Sequence, residues 1–321
     1  MGAISSADGF IFTFMIKCFY FSLLVAAFAC DARPTPHVES TVKALATALK
    51  DNYIYEDKAE QMSDHLLQRL REGKFDGEMT DEQLANLLHQ EVRSVVDDKH
   101  LRIWLSSRGR SASSRREVPG YAHGFGKAKM LADHIGYLEI TGFHNPISAF
   151  RADLTKQMTL LSEANAVILD LRNNGGGSPE AVQLISSYFF DRSKPVHLNT
   201  LYFRNSDSST DFYTLQEIEG PDLQSKPLLI LTSDYTFSAA EEFTYNMQSL
   251  KRATIVGETT GGGAHPVNRY TISEAIVAII PVGRAINPIT KTNWEGVGIK
   301  PDVEVDEESA LDKAIELLSG S

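Results

Sequence analysis

Cysteine is nearly absent from this chain: there are two, Cys18 and Cys30, and both fall within the first thirty residues. A domain beginning after that segment holds at most one thiol, which excludes a disulfide-stapled scaffold and leaves stability to a packed core. Paired zinc-binding cysteines, an HExxH pattern and any tight His/carboxylate cluster are lacking too, so no metal or other cofactor is expected. Cations are scarcer than anions, 31 Lys+Arg against 42 Asp+Glu, and the formal net charge of −11 repels a phosphate backbone; nucleic acid is not an expected partner. Gly 22 and Pro 12 are ordinary counts, which excludes collagen-like and low-complexity chains. The 321 residues are 42% apolar and 23% charged, enough for one large or two modest globular domains.

The longest apolar run lies at the start. From Phe10 to Ala29 the one charged residue is Lys17, and a spanning helix would hold that ammonium near its middle at about 2.5–3.5 kcal/mol. A secretory signal fits better. Met15-Ile16-Lys17 serves as a cationic n-region, Cys18 to Ala27 as the h-region, and Ala27-Phe28-Ala29 as the small-x-small cleavage pattern, with Met15 as the true start. Residues 1–30 are therefore expected to be a signal peptide or, since about 20 apolar residues is also membrane length, an N-terminal anchor. The protein is expected to be exported, periplasmic or extracellular. Membrane contact would run only through that terminus, uncleaved or lipidated at Cys30, although Ala27 stands where a lipidation signal prefers a larger aliphatic residue.

Residues 31–98 read as a helical domain. Val38, Val42, Leu45 and Leu49 recur at helical spacing, followed by Met62, Leu66, Leu67 and Leu70, then Leu84, Leu87, Leu88, Val92 and Val95, while Thr80 and Gln83 form a capping box. Leu101–Leu105 predicts a strand, and residues 106–116 a solvated basic loop. From Ile135 onward strands (135–140, 166–171, 228–232, 253–257) alternate with helices (near 147–161, 179–190, 238–250), and short β runs between 269 and 305 precede a helix over 307–318. That rhythm predicts layered α/β architecture with a parallel core sheet over residues 99–321.

Two loops at strand ends could carry chemistry. Asp170–Ser178, DLRNNGGGS, is a glycine run between strand and helix whose N–H groups could face an anion, though neither Gly-Lys-Ser/Thr nor GxGxxG is present. Thr232–Glu241, TSDYTFSAAE, places Ser238 on a strand-to-helix turn, the logic of a nucleophile elbow without GxSxG. Ser238-x-x-Glu241 is equally a capping box, so the hydroxyl could simply cap a helix. A serine nucleophile also needs a base. His100, where the helical domain meets the first strand, and His265, in a glycine-rich loop, are the candidates, whereas His37, His65 and His89 lie on ordinary helix faces.

Four motifs, DLRNNGGG (170–177), TFSAAEEF (236–243), ATIVGETTGGG (253–263) and WEGVGIKPDV (294–303), occur together in an order and spacing that resemble the C-terminal processing, or tail-specific, serine peptidases. The resemblance covers roughly residues 95–305. It is nearest to the branch of the tricorn protease core and the repeats of interphotoreceptor retinoid-binding protein, without a PDZ domain. It implies the layered crotonase/Clp-like α/β fold preceded by the small three-helix unit. It further implies Ser238 as nucleophile, His100 as general base and Glu295 orienting the imidazole, with the backbone N–H groups of Gly176 and Ala239 as the oxyanion hole. Gly175, Gly177 and His265 would line the substrate cleft. The dyad lysine of the processing peptidases is Gly263 here, and the serine that precedes the tricorn histidine is Lys99.

These residues imply acyl-enzyme hydrolysis of a peptide or an unfolded protein end, with an imidazole of ordinary pKa giving activity that rises through roughly pH 6–7. Two other readings use the same fold: a retinoid-binding-like module for a hydrophobic ligand, and a small-molecule hydrolase. Retention of Ser238, His100 and Glu295 together favours the peptidase. Substrate identity and oligomeric state are not written in the sequence.

Overall fold

The computed structural model describes residues 33–106, 122–145 and 147–319; the expected signal segment and most of the basic loop lie outside the described residues. Three helices open the described chain: α1 (Pro36–Asn52), α2 (Glu56–Arg71) and α3 (Asp81–Arg93). Their apolar stripes are those of the sequence pattern, with Val42, Leu45, Leu49, Met62, Leu66 and Leu88 fully buried. Thr80 caps α3 in a reciprocal box with Gln83, satisfying N–H groups that the first helical turn otherwise leaves orphaned.

These helices do not close a core by themselves. β1 (Arg102–Leu105) pairs antiparallel with β10 (Ile276–Pro281), which pairs with β9 (Val267–Thr271). Leu101, Ile103, Ile276, Ala278 and Ile280 complete the helical core. The strand expected after the helices thus belongs to a small antiparallel sheet beneath them and not to the main sheet.

The main sheet has six strands in the order β12-β8-β7-β4-β3-β2. β3 (Ile135–Ile140), β4 (Ala166–Asp170), β7 (Leu228–Thr232), β8 (Thr254–Gly257) and β12 (Val303–Glu304) run parallel, and β2 (Phe125–Met130) is an antiparallel edge. β4 and β7 are buried at every position, as expected of central strands covered on both faces. One face is covered by α4 (Ile147–Ser162), α5 (Pro179–Ser186) and α6 (Ala239–Ser249), whose apolar residues share a core with the sheet. The other face is covered by α7 (Ala310–Ser319). A third sheet, β11 (Gly283–Ile286), β5 (His197–Phe203) and β6 (Ser208–Tyr213), stands over α6. The α/β class and the parallel core sheet are as the sequence predicts. β2 and β6 were not legible there, because much of their length is polar and exposed; β5, half-buried to buried throughout, mixes polar and apolar residues without strict alternation.

Among the described residues no helix is long and apolar enough to cross a membrane.

Candidate active site

β4, β7 and β8 are parallel neighbours, so their carboxyl ends lie side by side and the three loops that follow them converge. Such an edge is the usual place for a site in an open α/β sheet. The loops are tied together by their own polar groups: Ser233 Oγ donates to Arg172 O, Thr236 Oγ1 to Leu171 O, Phe237 N–H to Asn174 O, and Gly261 N–H to Thr236 O. Asp170 and Arg172 pair through two side-chain hydrogen bonds and a third from the Arg172 backbone N–H, Asp170 also accepts from Tyr137 OH, and Arg172 reaches Glu307 O. The DLR part of the first motif is therefore a fastening between sheet and C-terminus.

Ser238 ends the β7 connection and heads α6. Its backbone lies at φ 57°, ψ −121°, a sparsely populated region for a residue with a Cβ and the conformation that projects a side chain from a sharp strand-to-helix turn. Its N–H donates to Glu241 Oε2, so the capping-box half of the expectation is real. Glu241, fully buried, does more than cap: Thr260 Oγ1 and Gly262 N–H donate to its Oε1 and Gly263 N–H to its Oε2. One carboxylate thus locks the start of α6 to the glycine-rich loop after β8. Burial nevertheless pushes its pKa upward against those donors.

The fourth motif backs that loop. Trp294 Nε1 donates to Gly263 O, Gly296 N–H to Gly262 O, Ala264 N–H to Glu295 Oε2, and Ile299 N–H to Thr260 Oγ1. Gly176 comes against the turn from the other side, at φ +108°, where an added Cβ would lie 2.7 Å from Ser238 Cβ and 3.1 Å from Ala239 N. Of the two N–H groups expected to form an oxyanion hole, that of Ala239 heads α6 with no intrahelical acceptor. That of Gly176 donates to Asn174 Oδ1 at 2.9 Å. Gly175 faces the Tyr235 hydroxyl, and Gly177 lines a cavity together with Ser238, Ala239 and His265.

The two imidazoles occupy different surroundings. The His100 ring packs against that of Phe237, the residue before Ser238, tilted by 37° with ring centroids 4.5 Å apart. Its Nδ1 is buried without a hydrogen-bond partner, and burial pushes its pKa down to about 4 despite the charge of Asp98. Asp98 Oδ1 accepts from the His100 backbone N–H and not from the ring. Lys99 turns away to donate to Gly261 O. His265 sits in a network: Nδ1 lies 2.8 Å from Asp98 Oδ2 and 3.4 Å from Glu295 Oε2, Nε2 lies 3.4 Å from Tyr55 OH, and Tyr53 OH donates to the same Asp98 oxygen. Burial opposes the Asp98 charge, but His265 and the His100 N–H outweigh it and hold its pKa low. Burial raises that of Glu295. Among the described residues neither imidazole is hydrogen-bonded to the Ser238 hydroxyl.

Two expectations are corrected here. Glu295 touches His265 and the Ala264 N–H, not His100, because the strap that carries it lies along the loop holding His265. A His/carboxylate cluster does exist: Asp98, His265 and Glu295 bring three potential ligand atoms within 4.8 Å of one another. Asp98 and His265 are 167 residues apart, so no local spacing could reveal it. Its oxygens already accept from Tyr53, His265 and Ala264, which is the chemistry of a hydrogen-bonded relay.

Gly263 explains how His100 comes so near the elbow. A Cβ there would meet the Phe237 ring and come within 2.6 Å of His100 Cε1. A side chain larger than glycine at 263 would have to displace one of these two rings.

Residues 134–305 match peptidase family S41, and residues 35–135 match the N-terminal domain of this family in eukaryotic IRBP. The chloroplastic carboxyl-terminal-processing peptidase 2 of Arabidopsis thaliana is 31% identical over 172 residues, 52% of this chain and 31% of that protein. The chain spans about a third of the length of the curated relatives it matches first. A Parabacteroides merdae protein assigned as a peptidase superposes with a TM-score of 0.65 at 22% identity, over 88% of this chain and 96% of the other. The photosystem II D1 C-terminal processing protease does so with a TM-score of 0.56 at 16% identity, over 85% and 94%. These structural likenesses are of fold. The chain belongs to peptidase family S41.

Proposed function

We propose that the protein is a serine-type peptidase that cleaves peptides or unfolded protein ends through an acyl-enzyme on Ser238. The observation that carries this reading is Ser238 itself: a serine held at φ 57°, strained where many residues could cap a helix without strain, next to an unengaged N–H at Ala239 and a buried imidazole one ring away. Strain of this kind, about 1–3 kcal/mol, is retained where the surroundings enforce a geometry that chemistry uses.

His100 is the general base in this reading. Burial keeps it neutral at physiological pH, the form that accepts the Ser238 proton as Oγ attacks the peptide carbonyl. Ala239 N–H stabilises the oxyanion, and Gly176 N–H joins it by leaving Asn174. His100 then returns the proton to the leaving amine, and water, deprotonated by the same imidazole, releases the acyl group. Glu295 acts at one remove, with Asp98 and His265, by fixing the glycine-rich loop against which His100 packs.

Export through residues 15–29 belongs to the same proposal. The mature N-terminus is expected near Cys30 or Asp31; a secreted chain beginning before residue 20 would refute cleavage there, and exclusive recovery from the cytosol would refute export.

A fluorophosphonate probe tests the chemistry. Wild type is expected to label and to hydrolyse a peptide, Ser238→Ala to do neither, and His100→Ala to lose about a hundredfold or more in turnover while remaining folded. Labelling that persists in Ser238→Ala, or a His100→Ala enzyme of near-normal turnover, overturns the assignment.

A further inference from the structure

Ser238 and Ala239 share a cavity of about 380 Å³ whose walls include Leu201, Phe203, Phe212 and Trp294. Two carboxyls face it, Glu242 and Glu180, and among the described residues no lysine or arginine lines it. Glu242 stands four residues after Ser238, one turn along α6 and on the same face. It is 5% exposed; among the described residues no cation pairs with it, and the polar side chain that reaches it is that of Asn199. The amide of Asn199 beside it is fully buried with both its oxygen and its nitrogen unpartnered. Burial, with the Glu180 charge adding to it and Asn199 opposing, pushes the Glu242 carboxyl up to about 7. Glu180, at the solvent end, is held by Ser178 Oγ.

A buried carboxyl without a counter-charge is costly, and it is cheapest to keep where a ligand completes it. Apolar walls leading to a carboxyl suit one kind of side chain, a methylene stem ending in a cation. We propose that this cavity receives a lysine or arginine next to the scissile bond, its cation meeting Glu242 and passing Glu180 on entry. The proposal rests on the reading of Ser238 as nucleophile, and names the substrate class of that site.

The test pairs a cleavage assay with a binding assay on the full chain. Peptides carrying lysine, arginine, norleucine or glutamate on either side of the cleaved bond are compared by kcat/KM. Wild type is expected to favour the basic peptides at least tenfold over norleucine. Glu242→Gln, which keeps the shape and removes the charge, should cut that ratio about tenfold, and exposed Glu180→Gln should cut it less, mainly through KM. Benzamidine binding by calorimetry is measured in parallel on wild type and Glu242→Gln, and on Ser238→Ala so that catalysis plays no part. Binding that needs Glu242 but not Ser238 supports the pocket even if no peptide is cleaved, in which case the peptidase reading alone fails. A basic preference that survives Glu242→Gln, or benzamidine that binds no more weakly to that variant than to wild type, overturns the proposal.

Discussion

Ser238 distinguishes a cap from a nucleophile by its dihedral angles. At φ 57° glycine has no Cβ to strain, so Ser238→Gly is expected to be inactive yet to melt no lower than wild type. The relief of about 1–3 kcal/mol outweighs the roughly 0.5–1 kcal/mol that glycine adds to unfolded-chain entropy. Ser238→Thr, an acceptable cap in ordinary geometry, should lose stability here because a β-branched side chain is a true outlier at positive φ. Thermal melts of both variants check this, and a Ser238→Thr protein as stable as wild type would refute it. At His100 the sequence-based expectation of a limb near pH 6–7 moves. Burial lowers the native pKa to about 4, whereas the unfolded imidazole titrates near 6.5. Between those values the unfolded state binds more protons, so stability rises with pH across about pH 4–6.5 and is lost as pH falls through it. The acidic limb of kcat/KM should accordingly lie below pH 6, and a pH–rate profile with its midpoint at 6.5 or above would exclude His100 as the buried base described here. His265 was expected to shape the cleft and affect substrate affinity. Its tie to Asp98, 2% exposed, makes His265→Ala a stability variant as well, costing about 3 kcal/mol because a buried carboxylate loses its partner; chemical denaturation measures this.

At the scale of elements, the site is three loops and a strap. Glu241 joins the start of α6 to the loop after β8, and residues 294–299 hold that loop from behind. Rigid loops of this kind give a catalytic group its placement, and small displacements cost rate. Gly263→Ala probes the arrangement, since its methyl group has to displace His100 or Phe237. Turnover should fall on the order of tenfold or more, with a smaller change in melting temperature. Unchanged kcat would mean that the position of His100 is immaterial. The capping box and the glycine run were readable from the sequence because they are local. That Glu241 also binds Gly262 and Gly263 was not, since those bonds span 21 and 22 residues.

For the whole molecule, the decisive feature is the shared core beneath the helices. α1–α3 bury Leu45, Leu49 and Met62 against residues of β1 and β10, and β10 comes from the C-terminal third of the chain. Tyr53 and Tyr55, between α1 and α2, reach the Asp98–His265 network. Helices and catalytic layers are therefore expected to unfold together. Leu45→Ala should cost about 2–5 kcal/mol and shift one calorimetric transition. Two separated transitions, with the helices melting first, would show that the shared core does not couple them.

The sequence by itself determined the α/β class, the three leading helices, the central strands and the four motifs, because hydrophobic period, capping residues and glycine turns act over a few residues. It also marked Ser238 and His100. Only the tertiary structure decided which side chains meet. Asp98, His265 and Glu295 come together from loops far apart in the chain, His100 packs where glycine at 263 leaves room, and Glu242 turns from an ordinary helix residue into a buried carboxyl lining a cavity. Sheet order sets those encounters, and burial then shifts the protonation of His100 and Glu242, so their chemistry belongs to the fold and not to the motif.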